Sequence, residues 1–338
     1  MKHLAIIGLA KNAGKTVTLN TIVKEAVNKN INLALISYGR DGEKIDAITL
    51  QEKPRIYIPP ATVFVTAHNA YKKSEVQADL IKRTGIDSLM GEVNIYKSFT
   101  KGGYIELVGI NSSSRVKKIK KMLPANVDLT LIDGALDRRS SAMPELSDAF
   151  VMATGAVVGN TEELVIKKTK HEIRRLSFGE IKDSTLKEKT KQFLAEGRDG
   201  LVYQDGSSEF LESETSFGHI KELKEKNHKE IKALIINGAL IDRFAEKLIY
   251  DLEFEGINLI VRDGTRVFLN KRNLNLLEKS NIKIEFLNSI NLLAVTVNPT
   301  SPYSQSLDSA EIISGLKHEL KQIPVYDIMS ENYKSIER

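Results

Sequence analysis

The chain has 338 residues, 41% of them apolar, enough for two domains of roughly 150 residues that each enclose a core. Its net charge of +5 is the small difference between 49 basic and 44 acidic residues. Charge mixed in this way marks solvated faces, and without an aromatic-rich basic motif it argues against nucleic acid as a partner. Cysteine is absent, which excludes a disulfide framework, a thiol nucleophile and a cysteine-held metal. No apolar run approaches a membrane span. Met1-Lys2-His3 leads straight into an apolar run, leaving no room for a signal peptide, and a cytoplasmic protein is the expectation.

Lys2-His3-Leu4-Ala5-Ile6-Ile7 has the continuous apolar character of a buried parallel strand. Gly8-Leu9-Ala10-Lys11-Asn12-Ala13-Gly14-Lys15-Thr16 follows, and then Leu19, Ile22, Val23, Ala26 and Val27 at helical spacing. Strand, glycine loop and helix are the setting in which Gly-Lys-Thr gains meaning. Backbone N–H groups of the loop and the first helical turn, from Gly8 through Val17, converge on phosphate oxygens. Lys15 would reach the outer phosphates and the Thr16 hydroxyl would bind Mg²⁺. Five residues separate Gly8 from Gly14, with Leu9 where the common form has its first glycine. That G-x5-G-K-T spacing resembles dethiobiotin synthetase and its relatives among the P-loop proteins.

Asn32-Leu33-Ala34-Leu35-Ile36-Ser37 reads as the second strand, opening into Tyr38-Gly39-Arg40-Asp41-Gly42-Glu43. In open parallel sheets ligands bind at that end of the strands. Short strands are expected at 55–58, 62–65 and 103–108, a helix at 74–84, and buried strands at 127–133 and 149–153. A helix is expected over 161–176, then a charged stretch at 182–191 and a β-hairpin at 201–211 with an Asp205-Gly206 turn. A second alternation follows: strands at 231–236, 258–261 and 292–297, helices at 242–255 and 308–321, and a short closing strand at 324–326. The expectation is α/β, a P-loop NTPase with mainly parallel sheet plus a second, smaller α/β domain. Its boundaries are 1–175 for nucleotide binding, 176–228 for a connector and 229–338 for the second domain. Ile132-Asp133-Gly134-Ala135-Leu136 and Ile236-Asn237-Gly238-Ala239-Leu240 echo one another.

Asp133 ends an apolar strand, where a Mg·triphosphate site needs a carboxylate to hold the metal directly or through water. A cap is the plain alternative. Asp41, with Glu43 behind it, is the next candidate to meet Mg²⁺ or orient a water, although Asp-Gly is also an ordinary turn. The catalytic set is thus Lys15, Asp41 and Asp133, and the metal set Thr16, Asp133 and Asp41. Lys11 can contact phosphate in its own chain or across a homo-oligomer; an exposed loop lysine is the simpler reading. Arg138 and Arg139 can steady transition-state charge or pair with Glu145 and Asp148. Asn298-Pro299-Thr300-Ser301-Pro302 follows a strand and can line a ligand pocket. The six histidines show no metal spacing. Guanine recognition lacks support, since Asp133-Gly134-Ala135-Leu136 has no second glycine and Asn270-Lys271-Arg272-Asn273 no aspartate, so ATP is the expected nucleotide.

Four phrases occur in order: residues 8–16, Ser-Tyr-Gly-Arg-Asp-Gly-Glu at 37–43, Leu-Ile-Asp-Gly-Ala-Leu-Asp-Arg at 131–138, and Val-Asn-Pro-Thr-Ser-Pro at 297–302. Together they resemble the P-loop subunits of lysine 5,6-aminomutase reactivases. The resemblance implies a helper that uses ATP and Mg²⁺ to free damaged cobalamin from an adenosylcobalamin-dependent aminomutase. It also implies a second, larger ATPase-like subunit as partner. Two other readings stay open. One is an ATP-dependent small-molecule ligase or kinase like dethiobiotin synthetase. The other is a nucleotide-binding module that has lost hydrolysis, against which Lys15, Thr16 and Asp133 speak.

Overall fold

A computed structural model describes residues 2–38, 55–99, 101–134, 142–213, 216–302 and 306–330. The chain opens with β1 (His3–Gly8), α1 (Lys15–Asn28) and β2 (Leu33–Tyr38). It continues through β3 (Ile56–Ile58), β4 (Val63–Ala67), α2 (His68–Lys72), β5 (Ala78–Ser88), β6 (Gly91–Ser98) and β7 (Gly103–Ile105). Then come α3 (Ser113–Lys120), β8 (Leu129–Gly134), β9 (Ala149–Gly155) and α4 (Glu162–Leu176).

The middle stretch has α5 (Ser184–Ala195), β10 (Gly200–Tyr203), β11 (Ser208–Phe210), α6 (Ser216–Lys224) and β12 (Ile231–Ile236). It goes on through β13 (Leu240–Ile241), α7 (Asp242–Tyr250), β14 (Asn258–Val261), β15 (Val267–Phe268), α8 (Lys271–Lys279) and β16 (Lys283–Phe286). The last stretch is β17 (Asn291–Asn298), α9 (Ser309–Leu320) and β18 (Val325–Asp327).

These elements form two compact units, Met1–Lys170 with Asn291–Arg338, and His171–Ile290. The first is built on a nine-stranded sheet in the order β18-β17-β9-β1-β8-β2-β4-β6-β5. From β18 to β4 every pairing is parallel. Side chains alternate between the two faces of a strand. On one face, Leu4, Ile6, Leu33, Leu35 and Leu131 pack with Leu19, Val23 and Ala26 of α1. On the other, Ala34, Ile36 and Ile132 pack with Val116 and Ile119 of α3. Burial on both faces is why these strands read as unbroken apolar runs. Burying Leu19 or Val23 stabilises the unit by about 2 kcal/mol each.

The second unit has a five-stranded sheet in the order β11-β10-β12-β14-β16. β12, β14 and β16 are parallel and β10 and β11 antiparallel. Leu234, Ile236, Leu259 and Val261 pack with Phe244, Leu248, Leu274 and Leu277 of α7 and α8. Ala233, Ile235 and Ile260 pack with Leu186, Phe193 and Leu194 of α5 on the other face.

Several expectations are corrected. The stretch 229–338 is not one domain, because β17 pairs with β9 and β18 in the first sheet. The stretch 176–228 is not a connector: Asp183 caps α5, and α5 with the expected 201–211 hairpin belongs to the second unit. The helix expected at 74–84 is largely β5, paired antiparallel with β6. Leu80 and Ile81 stand exposed there, so cross-strand pairing with a partner ten or more residues on decides the conformation, not a buried helical stripe. The nine-stranded sheet is mainly parallel as expected, with β6 antiparallel to its neighbours β4 and β5. The helix expected to reach 255 ends at Tyr250, and Glu253 and Gly256 have positive φ. The strand expected at 103–108 is confined to β7. Among the described residues no helix is long and apolar enough to cross a membrane.

Candidate functional site

The ends of β1, β8 and β2 lie side by side. In their register Ile6 is level with Asp133, and Asp133 with Ser37. Residues 9–14 bridge β1 to α1. The loop is fixed by Leu9 N–H donating to the Ala153 carbonyl of β9 at 3.0 Å and Ala13 N–H to Ala10 at 3.3 Å. Asn12 is left-handed at φ 63° and Gly14 at φ 96°. A Cβ on Gly14 would stand 2.5 Å from Ile328 Cδ1 and 3.0 Å from Asn298 Cβ, so both torsion and space demand glycine there.

Gly14 starts α1 without any side chain capping it, and the first turn carries no acid. The leading N–H groups of a helix attract anions, and an acidic first turn would oppose that. Lys15 is 9% and Thr16 9% exposed. The Lys15 stem passes so close over Gly8 that a Cβ there would lie 2.8 Å from Lys15 Cγ. Its Nζ donates to the Gly134 carbonyl and lies 3.7 Å from Asp133 Oδ1. Asp133 is 1% exposed. Loop, cation and carboxylate therefore meet at one end of the sheet, although more than a hundred residues separate Lys15 from Asp133.

The structure gathers Gly8, Lys11, Asn12, Ala13, Gly14, Lys15, Thr16, Val17 and Asp133 in this region. Ala13 is buried, whereas Val17 turns its side chain outward at 39% exposure and offers only its backbone. Asp41, Glu43, Arg138 and Arg139 lie outside the described residues. Of the carboxylates suggested for those arginines, Glu145 pairs with Lys117. Asp148 accepts from the N–H groups of Lys2 at 2.6 Å and His3 at 3.0 Å.

The loop's far wall comes from the end of the chain. Asn298, closing β17, donates through Nδ2 to the Asn12 carbonyl at 3.3 Å, and its Oδ1 accepts from Thr300 N–H and Oγ1. Thr18 of α1 shares a 2.8 Å hydrogen bond with Thr296 of β17. Asn298 was legible as a strand-end polar residue. Nothing local marks Thr18, Thr296 or Ile328 as supports of the loop, since each partner is about 280 or more residues away. Ser37 reads in the sequence as a strand end and the first residue of the 37–43 phrase, with no role of its own, yet it lies level with Asp133 and is 1% exposed. Compared with known proteins, the chain matches no family model, no curated protein and no solved structure.

Proposed function

We propose that this chain binds Mg·ATP at residues 8–17 and Asp133, hydrolyses it, and serves as the nucleotide-driven subunit of a reactivating factor for an adenosylcobalamin-dependent lysine aminomutase. The position of Lys15 carries the nucleotide part of the reading. A buried lysine aimed past Gly8 at the end of the neighbouring strand, beside an uncapped helix start and a buried carboxylate, suits a Mg·triphosphate. Lys15 would exchange the Gly134 carbonyl for outer phosphate oxygens, and the first-turn N–H groups would hold the others. Thr16 and Asp133 would hold Mg²⁺, whose charge offsets that developing on the phosphates. Asp41 would meet Mg²⁺ or orient the attacking water.

The reactivase part rests on the four ordered phrases. A helper of this kind needs an element whose two states differ in affinity for ATP, because only that difference can drive a partner between cofactor-tight and cofactor-open forms. The second subunit and the aminomutase are the partners, and direct cobalamin contact is not part of the proposal. The G-x5-G-K-T spacing favours a second reading, a small-molecule ligase or kinase like dethiobiotin synthetase.

The test is ATP hydrolysis by the purified chain with Mg²⁺, alone and with the second subunit and a cobalamin-inactivated aminomutase. Lys15→Ala is the control, with its melting curve recorded to separate folding from binding. Hydrolysis that rises with the partners and restores mutase turnover is expected. Lys15→Ala should lower ATP affinity by about a hundredfold, in line with charge-assisted contacts to two phosphates; wild-type affinity in that variant would remove the site. Hydrolysis indifferent to the partners would favour the ligase reading.

A further inference from the structure

Ser37 is the last residue but one of β2 (Leu33–Tyr38), and its Oγ has no hydrogen-bond partner among the described residues although the residue is 1% exposed. Leu33 and Leu35 lie on the α1 face of the sheet with Leu131 of β8. Two residues further along each strand, on that same face, stand Ser37 and Asp133, directly level across the parallel pair. The unsatisfied hydroxyl therefore faces the side on which Lys15 approaches Asp133. Buried hydroxyls are almost always paired, and an orphan of this kind points to a missing partner.

The strand order limits what that partner is. β8 lies between β1 and β2, so Ser37 sits two strand spacings, about 10 Å, from the strand that carries the loop. A side chain as short as serine does not reach phosphates held at α1 from there. It does reach the next layer out from Asp133. Mg²⁺ keeps several of its waters when protein carboxylates and phosphates bind it, and each such water is a strong donor seeking an acceptor.

We infer that Ser37 is a positioning residue for the divalent metal, its Oγ accepting a hydrogen bond from a metal-bound water beside Asp133. The inference rests on the Mg·ATP reading above and names a residue that the loop motif does not include. It accounts for a serine hydroxyl kept buried beside Asp133 with no partner among the described residues.

Ser37→Ala tests it, with ATP binding measured by calorimetry across a Mg²⁺ titration and in EDTA, and with the melting curve of the ligand-free protein. The substitution removes no hydrogen bond from the ligand-free fold, so its melting temperature should be unchanged or higher. ATP affinity in EDTA should stay within about twofold of wild type, while the Mg²⁺ concentration for half-maximal enhancement rises about tenfold. Ser37→Thr, which keeps the hydroxyl, should recover most of that loss. An unchanged Mg²⁺ titration in Ser37→Ala, with wild-type protein responding normally, overturns this inference alone. So does a lowered melting temperature with an unchanged Mg²⁺ titration, which would mark Ser37 as structural. If wild-type protein binds no ATP with or without Mg²⁺, the nucleotide reading falls and takes this inference with it.

Discussion

Both compact units run parallel strands into short turns and then helices, yet the turn after β1 is finished differently from those after β12 and β14. At the end of β1 the turn leaves the start of α1 without a side-chain cap and without an acid in its first turn, and Lys15 leads the helix. In the second unit the turns after β12 and β14 are closed by their own neighbours. Asn237 N–H donates to Asp199 Oδ1 at 2.8 Å and its Nδ2 to the Gly197 carbonyl at 3.0 Å. Arg262 donates to the Leu194 carbonyl at 2.9 Å, and Asp263 Oδ1 accepts from Thr265 N–H at 2.9 Å. α7 also starts without a side-chain cap, but Asp242 puts an acid in its first turn and accepts from Asn270 and Asn273. Similar local grammar thus yields an anion-ready turn in one unit and self-satisfied turns in the other. The echo between Ile132-Asp133-Gly134 and Ile236-Asn237-Gly238 is of this kind, because only the first phrase puts an acid beside a lysine.

The sharpest break of that contrast is Gly14→Ala. It imposes a left-handed torsion on alanine and sets a methyl against Ile328, so it should cost about 2 kcal/mol of stability. ATP affinity should fall with it, read by chemical denaturation and calorimetry; a normal melt with normal ATP binding would show that the loop tolerates a side chain. Asp133→Asn comes next. It keeps the shape but removes the charge proposed to hold the metal, so Mg-dependent hydrolysis should drop by about 10–100-fold with the fold retained. Full activity in that variant would take Asp133 out of the site.

The smallest expected effect separates the units by pH. Burial alone would raise the Asp148 carboxyl, but the N–H groups of Lys2 and His3 overcome this and hold it below its ordinary value of 3.8. Its stabilisation is therefore present above that value and lost as pH falls through the lower folded value. The carboxylate is 46% exposed, so solvent screening keeps its worth under about 1 kcal/mol. Asp263 in the second unit is the reverse: burial pushes its carboxyl above 3.8, against the hydrogen bonds from Thr265. The fold takes up that proton before the unfolded chain does, so this contribution improves as pH falls from above the folded value toward 3.8. Denaturation of Asp148→Asn and Asp263→Asn between about pH 3 and pH 7 should therefore shift the stability–pH curve in opposite senses. Parallel curves for wild type and both variants would break the distinction.

What the sequence by itself determined was local and contiguous. A buried strand, a loop and an amphipathic helix within some twenty-five residues placed Gly8, Gly14, Lys15 and Thr16 together, because backbone conformation there follows from neighbouring residues. Asp133 was legible too, as an acid ending an apolar strand, although its 3.7 Å approach to Lys15 was not. Tertiary structure decided the rest. The return of β17 and β18 to the first sheet, the antiparallel β5–β6 pair and the support of the loop by Asn298 and Ile328 all depend on partners distant in the chain. Ser37 states the limit most plainly. A serine at a strand end is commonplace, and only strand order and register put its hydroxyl level with Asp133, inside the fold and without a partner among the described residues.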